Sequence, residues 1–185
     1  MDTQIDLNTL LQKGYITDEL ELERAFILEN KLRLLAKNQP EYIESRKKIR
    51  QIIKEYEQNN WSKNTVIDEE KLKESDLAEI IAQEEHIFLL ARKNLIKKKI
   101  AEFGYNQQDL GVVLGHTKSY MSELMNGISP FQMKDLIIIH KLFHISLKNL
   151  IAVTLPQAER NRITASLQEI KPKIKNKKKE LTLVF

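Results

Sequence analysis

Glycine and proline interrupt helices, and this 185-residue chain has five of one and four of the other. Three of the five glycines, Gly111, Gly115 and Gly127, fall in one short stretch, DLGVVLGHTKSYMSELMNG (109–127). Gly104 lies just upstream and Gly14 stands apart. Most of the chain can therefore propagate as helix, while one region demands repeated interruption. Leu, Ile, Lys, Glu and Gln are abundant, and straight-chain residues lose little rotamer freedom in a helix. The expected fold class is all-α, with one domain or two small ones at this length.

The chain has no cysteine, which excludes disulfides and thiolate metal sites and suits a reducing compartment. Its opening, MDTQIDLNTL, is acidic and polar and does not read as a secretion signal. No run reaches the roughly 18 to 20 apolar residues of a membrane span, and a cytoplasmic protein is expected. Charge is unevenly spread. Residues 61–90 hold 3 Lys/Arg against 8 Asp/Glu, whereas 91–155 hold 9 against 4 and 156–185 hold 8 against 3. A basic C-terminal half suggests an anionic partner, and the acidic part suggests a different one.

Residues 1–16 are weakly patterned. Thr17 or Asp18 can cap a helix carrying the stripe Leu22, Ala25, Leu28, Leu32 and Leu35 and ending near Asn38. Pro40 suits the first turn of a second helix, with Tyr42, Ile49, Ile52, Ile53 and Tyr56 on one face and Trp61 folding back after it. Residues 62–75 read as a linker or a loose helix start. From about Asp76 a long pattern runs through Leu77, Ile80, Ile81, Phe88, Ala91, Leu95, Ile96, Ile100 and Phe103, with a break near Glu84–Glu85 and a stop at Gly104. Further helices are expected over MKDLIIIHKLF, over SLKNLIAV with Ser146 as cap, and from Pro156 to Pro172 through Ile163, Leu167 and Ile170. The resulting organisation is a helical hairpin (1–61), a linker and connecting helix (62–91), a glycine-punctuated helical domain (92–153), and a C-terminal helix with a basic tail (154–185).

The glycine-rich stretch reads as two short helices and a tight turn. Asn106 sits at a helix N-cap position and Gln107–Leu114 makes two turns. A mid-helix glycine costs about 1 kcal/mol against alanine, so Gly111 implies a close helix crossing. Gly115 fits a turn that needs positive φ, and Gly127 fits a helix stop. Leu110, Leu114, Met121 and Leu124 are spaced to pack the second helix on the first. In a helix-turn-helix the second helix presents its N-terminal side chains to base edges in the major groove. The candidate DNA contacts are Gln107, His116, Thr117, Lys118, Ser119, Tyr120, Ser122, Glu123 and Asn126. Lys118 can reach guanine or a phosphate, Ser119 and Ser122 can bond either kind of edge, and Glu123 can accept from cytosine. Gln107, Thr117 and Asn126 sit at helix ends and suit phosphates. Tyr120 reads either as a groove contact or as cover for the helix surface.

The stretch NQQDLGVVLGHTKSYMSELMNGISPFQMKDLIIIHKLFHISLKNLI (106–151) resembles the XRE/Cro-type helix-turn-helix domain, and more narrowly that of HigA-type antitoxins. There the recognition helix runs into an SE-x-x-NG-x-x-P segment, here Ser122, Glu123, Asn126, Gly127 and Pro130, followed by a helix with a His (His140) and a final Leu150–Ile151. IIKEYEQNNW resembles that subgroup's helical hairpin, with Tyr56–Glu57 at its end. The likeness covers roughly residues 18–60 and 92–151. It implies an N-terminal hairpin followed by a five-helix λ-repressor-like domain, with a helical and basic C-terminal extension here. It implies a homodimer on a palindromic operator of double-stranded DNA, and a toxin partner of the mRNA-interferase HigB/RelE type. An orphan regulator without a toxin carries the same domain.

Other readings were weighed against this one. His140 and His144 are spaced as metal ligands can be, but no Glu between them and no third ligand accompanies them, so no metal site is expected. No P-loop, dinucleotide fingerprint, Gly-x-Ser-x-Gly elbow or paired carboxylates in an apolar setting is present, so neither enzyme activity nor a cofactor is expected. Lys97–Lys99 reads as a solvated face with a chance of backbone contact. Lysines 171, 173, 175, 177, 178 and 179 read as a basic arm adding affinity through counterion release, and LTLVF (181–185) as an edge strand or a disordered tip. A nucleoid-type, sequence-tolerant binder relying on that tail, and a module that neutralises a basic toxin through the N-terminal hairpin and acidic residues 61–90, stand as rival functions.

Overall fold

The first helix forms where no pattern was evident. Seven residues are two turns, too few for a periodicity to declare itself. α1 (Leu7–Lys13) starts on Asp6, whose carboxylate accepts the Thr9 amide at 2.9 Å, and ends at Gly14. Leu7, Leu10 and Ile16 are buried. The computed structural model describes residues 4–62, 67–152 and 157–170, and every element among them is helical.

α2 (Glu19–Leu35) starts on Asp18 and buries Leu22, Ala25, Leu28 and Leu32, as the stripe required. α3 (Tyr42–Asn60) follows the turn at Pro40 and packs on α2 through Ile49, Ile52 and Ile53. Arg46 reaches back to Glu29 at 2.8 Å, pinning the hairpin from its polar side. Trp61 folds back as expected. Its indole N–H donates to Glu19 Oε1 at 3.0 Å, and the Tyr56 hydroxyl donates to the same oxygen at 2.9 Å. Glu19 is buried, and these two donors are what make its carboxylate tolerable there.

The connecting helix refines the sequence reading. α4 (Glu69–Glu102) begins inside the stretch read as a linker or a loose helix start, does not break near Glu84–Glu85, and buries Ile96 and Ile100 as expected, but its first half turns Ala78 and Ala82 to the core rather than Leu77 and Ile80. Its early start follows from Asp68, whose carboxylate accepts the Lys71 amide at 2.9 Å. The Lys71 ammonium also meets the Asn60 carbonyl and lies 4.8 Å over the Trp61 ring, fastening the new helix to the old one. Continuity through the middle follows from Arg24 on α2, which holds Glu85 with Nε at 2.7 Å from Oε2. The buried seam is Ala78, Ala82, Arg92, Ile96 and Ile100, so small residues let α2 approach closely. Leu77, Ile80 and Phe103 are exposed instead.

α5 (Gln107–Leu114), α6 (Lys118–Asn126) and α7 (Met133–Phe143) then close a second core with the C-terminal part of α4. Ile96, Leu110, Met121, Leu124, Ile139 and Leu150 are nearly or fully buried in it. The helix expected over SLKNLIAV is a single 3-10 turn, Leu147–Asn149, and Ser146 makes no side-chain cap bond. With no cap the segment has nothing to offset the cost of starting an α-helix.

α2 also reaches this second core. The Lys31 ammonium donates to the Gly127 carbonyl at 3.1 Å. Burial, with Arg92 and Lys93 close by, pulls that ammonium down to about 8. Burial likewise pulls Arg92 down to about 10, and Lys93 downward. An unfolded lysine keeps its proton to about pH 10.4. Between those limits the unfolded chain binds a proton that the folded chain has released, so stability rises with pH across the window. Urea unfolding is expected to show the protein more stable at about pH 9.5 than at about pH 7.5, and Lys31→Met is expected to flatten that rise. A stability that falls between those two pH values would contradict this assignment.

The chain divides into two compact units after Ala152. The second contains α8 (Gln157–Glu169), on which Ile163 and Leu167 are half-buried and Ile170, just past its end, is exposed. The lysine run and the LTLVF tip lie outside the described residues, as do Pro156 and Pro172.

Candidate nucleic-acid interface

The site is built on three helix ends of one design. At Gly104, Gly115 and Gly127 the backbone turns left-handed, with φ of +76°, +74° and +63°. At each, the next residue's amide bonds back five positions: Tyr105 to Ile100 at 2.9 Å, His116 to Gly111 at 2.8 Å, and Ile128 to Glu123 at 3.0 Å. This double-bonded C-terminal turn satisfies orphan carbonyls and redirects the chain sharply. At Gly111 a Cβ would lie 3.3 Å from the His116 carbonyl oxygen, tighter than an ordinary contact, and 3.5 Å from the Met121 side chain, an ordinary contact, so the crowding there comes from the turn before α6.

α5 opens with a reciprocal cap. Asn106 Oδ1 accepts the Gln108 and Asp109 amides at 2.7 and 3.2 Å, and Asp109 Oδ2 accepts the Asn106 amide at 2.8 Å. α6 opens on Thr117, whose hydroxyl accepts the Tyr120 amide at 3.2 Å. Met121, Leu124 and Met125 bury one face of α6, leaving the first turn with Lys118 and Ser119 exposed. Gln107, Lys118, Ser119 and Ser122 line one depression of about 460 Å³, which Gln39 and Glu41 border from the turn between α2 and α3.

His116, Glu123 and Asn126 are held by partners inside the chain, and Ser122 Oγ also accepts from Asn126 at 3.3 Å. His116 Nε2 lies 3.0 Å from Oδ2 of Asp135, which is 0 % exposed, and its ring meets Tyr120 edge-on at 5.0 Å. Glu123 accepts from the Tyr42 hydroxyl at 3.4 Å and from Ser129 at 3.2 Å. Burial and the Glu123 carboxylate push Tyr42 up to about 12, so the tyrosine stays a donor at any working pH. Asn126 accepts from Lys93 Nζ at 2.7 Å and donates to the Ser122 carbonyl at 2.8 Å. Tyr120 is half-buried against the second core, which favours surface cover over a fully free groove contact.

No family model, curated protein or solved structure matches this chain. The functional reading therefore rests on the residues themselves. Among the described residues, no three His, Asp or Glu side chains are grouped as a metal site would need, and His140 turns its Nδ1 to the Ile145 carbonyl at 2.6 Å. No helix described is long and apolar enough to cross a membrane.

The residues that hold α6 in place escaped the sequence reading. Tyr42 stands 81 positions from Glu123 and Lys93 stands 33 from Asn126, and no local pattern links residues that far apart. Asp135 carried a signal that was available: a carboxylate in the first turn of a strongly apolar helix, where an acidic group favours the N-terminus.

Proposed function

We propose that the chain is a sequence-specific double-stranded DNA-binding repressor of the HigA antitoxin type. In this reading α5 and α6 are the helix-turn-helix of a five-helix λ-repressor-like unit completed by the end of α4, α7 and the 3-10 turn. The carrying observation is the left-handed turn at Gly115 with Met121 packed against Gly111, which fixes α6 and leaves its first turn exposed. Lys118, Ser119 and Ser122 then address base edges, with Gln107 and Thr117 on phosphates. Tyr120 covers α6 at the rim of that surface. His116, Glu123 and Asn126 act indirectly, holding α6 at the angle at which those side chains can reach. A homodimer would place two α6 helices about 34 Å apart on a palindrome and repress by occupancy rather than by catalysis, in the cytoplasm where such DNA lies.

The toxin-neutralising part of the reading draws on one further observation. Exposed Glu70, Glu74 and Glu79 give α4 acidic side chains, suited to a basic mRNA-interferase of the HigB/RelE type. An orphan regulator would keep the DNA surface and lack that partner.

Selection of duplexes from a random pool, followed by gel shifts, tests the DNA reading. A palindromic site is expected, and no preference over bulk DNA would sink it. Lys118→Ala is expected to cost about 1–3 kcal/mol on that site if Lys118 reads guanine. If it touches phosphate, the loss is even across sequences and the salt slope falls by about one.

A further inference from the structure

α4 has a second face that the fold does not use. Leu77, Ile80, Ile87 and Leu90 are 41, 56, 57 and 43 % exposed. At roughly 100° per residue, Ile80 and Ile87 point within about 20° of one another and about opposite the Ala78–Ala82–Ile96 seam. Leu77 and Leu90 flank them on either side. The spacing of the four residues is the same read from either end, with its midpoint between Gln83 and Glu84. A surface that repeats when the helix is reversed is self-complementary about a two-fold axis.

Charge sets the direction. Glu69 lies eleven residues before Ile80, and Lys98 lies eleven after Ile87. Eleven residues are about three helical turns, so both fall on the Ile80–Ile87 line. Both side chains are exposed, and among the described residues Glu69 pairs loosely with Lys73 at 3.6 Å on the same helix. Two copies in parallel would set Glu69 against Glu69 and Lys98 against Lys98. Two copies running antiparallel about the same midpoint set each Glu69 against Lys98 of the other copy.

We infer that two copies of this chain pair antiparallel through α4, with Ile80 of one against Ile87 of the other and the two-fold axis beside Glu84. The pairing stands on α4 alone. Its link to operator spacing rests on the proposed DNA reading: Lys93, which holds the end of α6 through Asn126, would recur about 19 residues of rise away, roughly 28 Å along the paired helices. That approaches the separation of about 34 Å between successive half-sites. The interface is small, so dissociation on the order of micromolar is expected. The two Glu84 carboxylates lie near the axis and oppose it.

Sedimentation velocity of the full chain without DNA, from about 1 to about 100 µM, reads the result against that affinity. A concentration-dependent dimer is expected. Ile80→Glu should leave a monomer with unchanged helical circular dichroism, because the site is exposed, and Glu84→Gln should tighten the dimer several-fold. Glu69→Lys should weaken it, and adding Lys98→Glu should restore it. A chain monomeric at the highest concentration overturns the inference, whether its own C-terminal residues or another protein then covers the stripe. So does a dimer indifferent to Ile80→Glu, or a charge exchange that fails to restore. A dimer that binds no preferred DNA leaves the pairing standing and removes the proposed function; specific DNA binding by a dimer that Ile80→Glu does not affect does the reverse.

Discussion

Gly127→Val is expected to lower the unfolding free energy by roughly 3–4 kcal/mol, from the left-handed backbone penalty and a crowded site together. Gly127 has φ +63°, a region that β-branched residues avoid. A Cβ there would also lie 3.2 Å from the Lys31 ammonium and 3.2 Å from Leu89. Both are side-chain ends that can move, but moving Lys31 breaks its bond to the Gly127 carbonyl. The damage therefore spreads from the end of α6 to α2. Gly127→Asn separates the two contributions. Asparagine tolerates the left-handed region, so the part of its loss beyond about 1 kcal/mol reports crowding. Denaturant unfolding of the three proteins gives the comparison, and a loss below about 1 kcal/mol for valine would show that α6 ends without help from α2.

Asp135→Ala carries the second large effect, roughly 3 kcal/mol. The carboxylate is completely buried at the start of α7, where Oδ2 accepts the Gln132 amide at 3.3 Å and lies 3.0 Å from His116 Nε2. Alanine leaves the Gln132 amide and the largely buried His116 ring nitrogen without their partner, and an unmet donor costs more than a made bond contributes. Asp135→Asn retains an acceptor for both and is expected to recover most of the loss. Because His116 directly precedes the Thr117 cap, the alanine protein should also lose affinity for a selected DNA site beyond what its stability explains. Equal affinity at a temperature where both proteins are folded would remove His116 and Asp135 from the positioning of α6.

The two predictions fall on residues that differ in how visible they were in sequence. Gly127 announced a left-handed helix end because almost nothing else requires glycine after Asn126. Its contact with Lys31 was invisible, since Lys31 sits on a helix 96 positions away and reads as one more surface lysine. The caps at Asp18 and Asn106, the stripe of α2 and the turn at Gly115 were legible because each is decided within a few residues. The orientation of α4 was not. Periodicity says that a helix has an apolar face, and α4 has two: the small-residue seam that packs on α2 and the larger Leu77–Ile80–Ile87–Leu90 stripe. Sequence reading took Leu77 and Ile80 for the buried face of the helix's first half and Ile96 and Ile100 for that of its second; close helix packing kept the latter and selected Ala78 and Ala82 in place of the former. For the candidate site, Lys118 and Ser119 were found from position on α6 alone. The separation of exposed candidates from internally held ones such as Glu123 needed Tyr42 and Ser129 in place.

One buried residue bears on how the chain comes into being. Ile128, fully enclosed, belongs to the core formed by α1, α2 and α3, and its carbonyl accepts the Leu7 amide at 3.1 Å. Synthesis runs from the N-terminus, so the hairpin is complete in length long before Ile128 has been made. Its core stays one side chain short until α4, α5 and α6 have also emerged. The N-terminal half thus reaches its final packing only when the α6 segment exists, so a truncated product of translation lacks a finished hairpin along with α6.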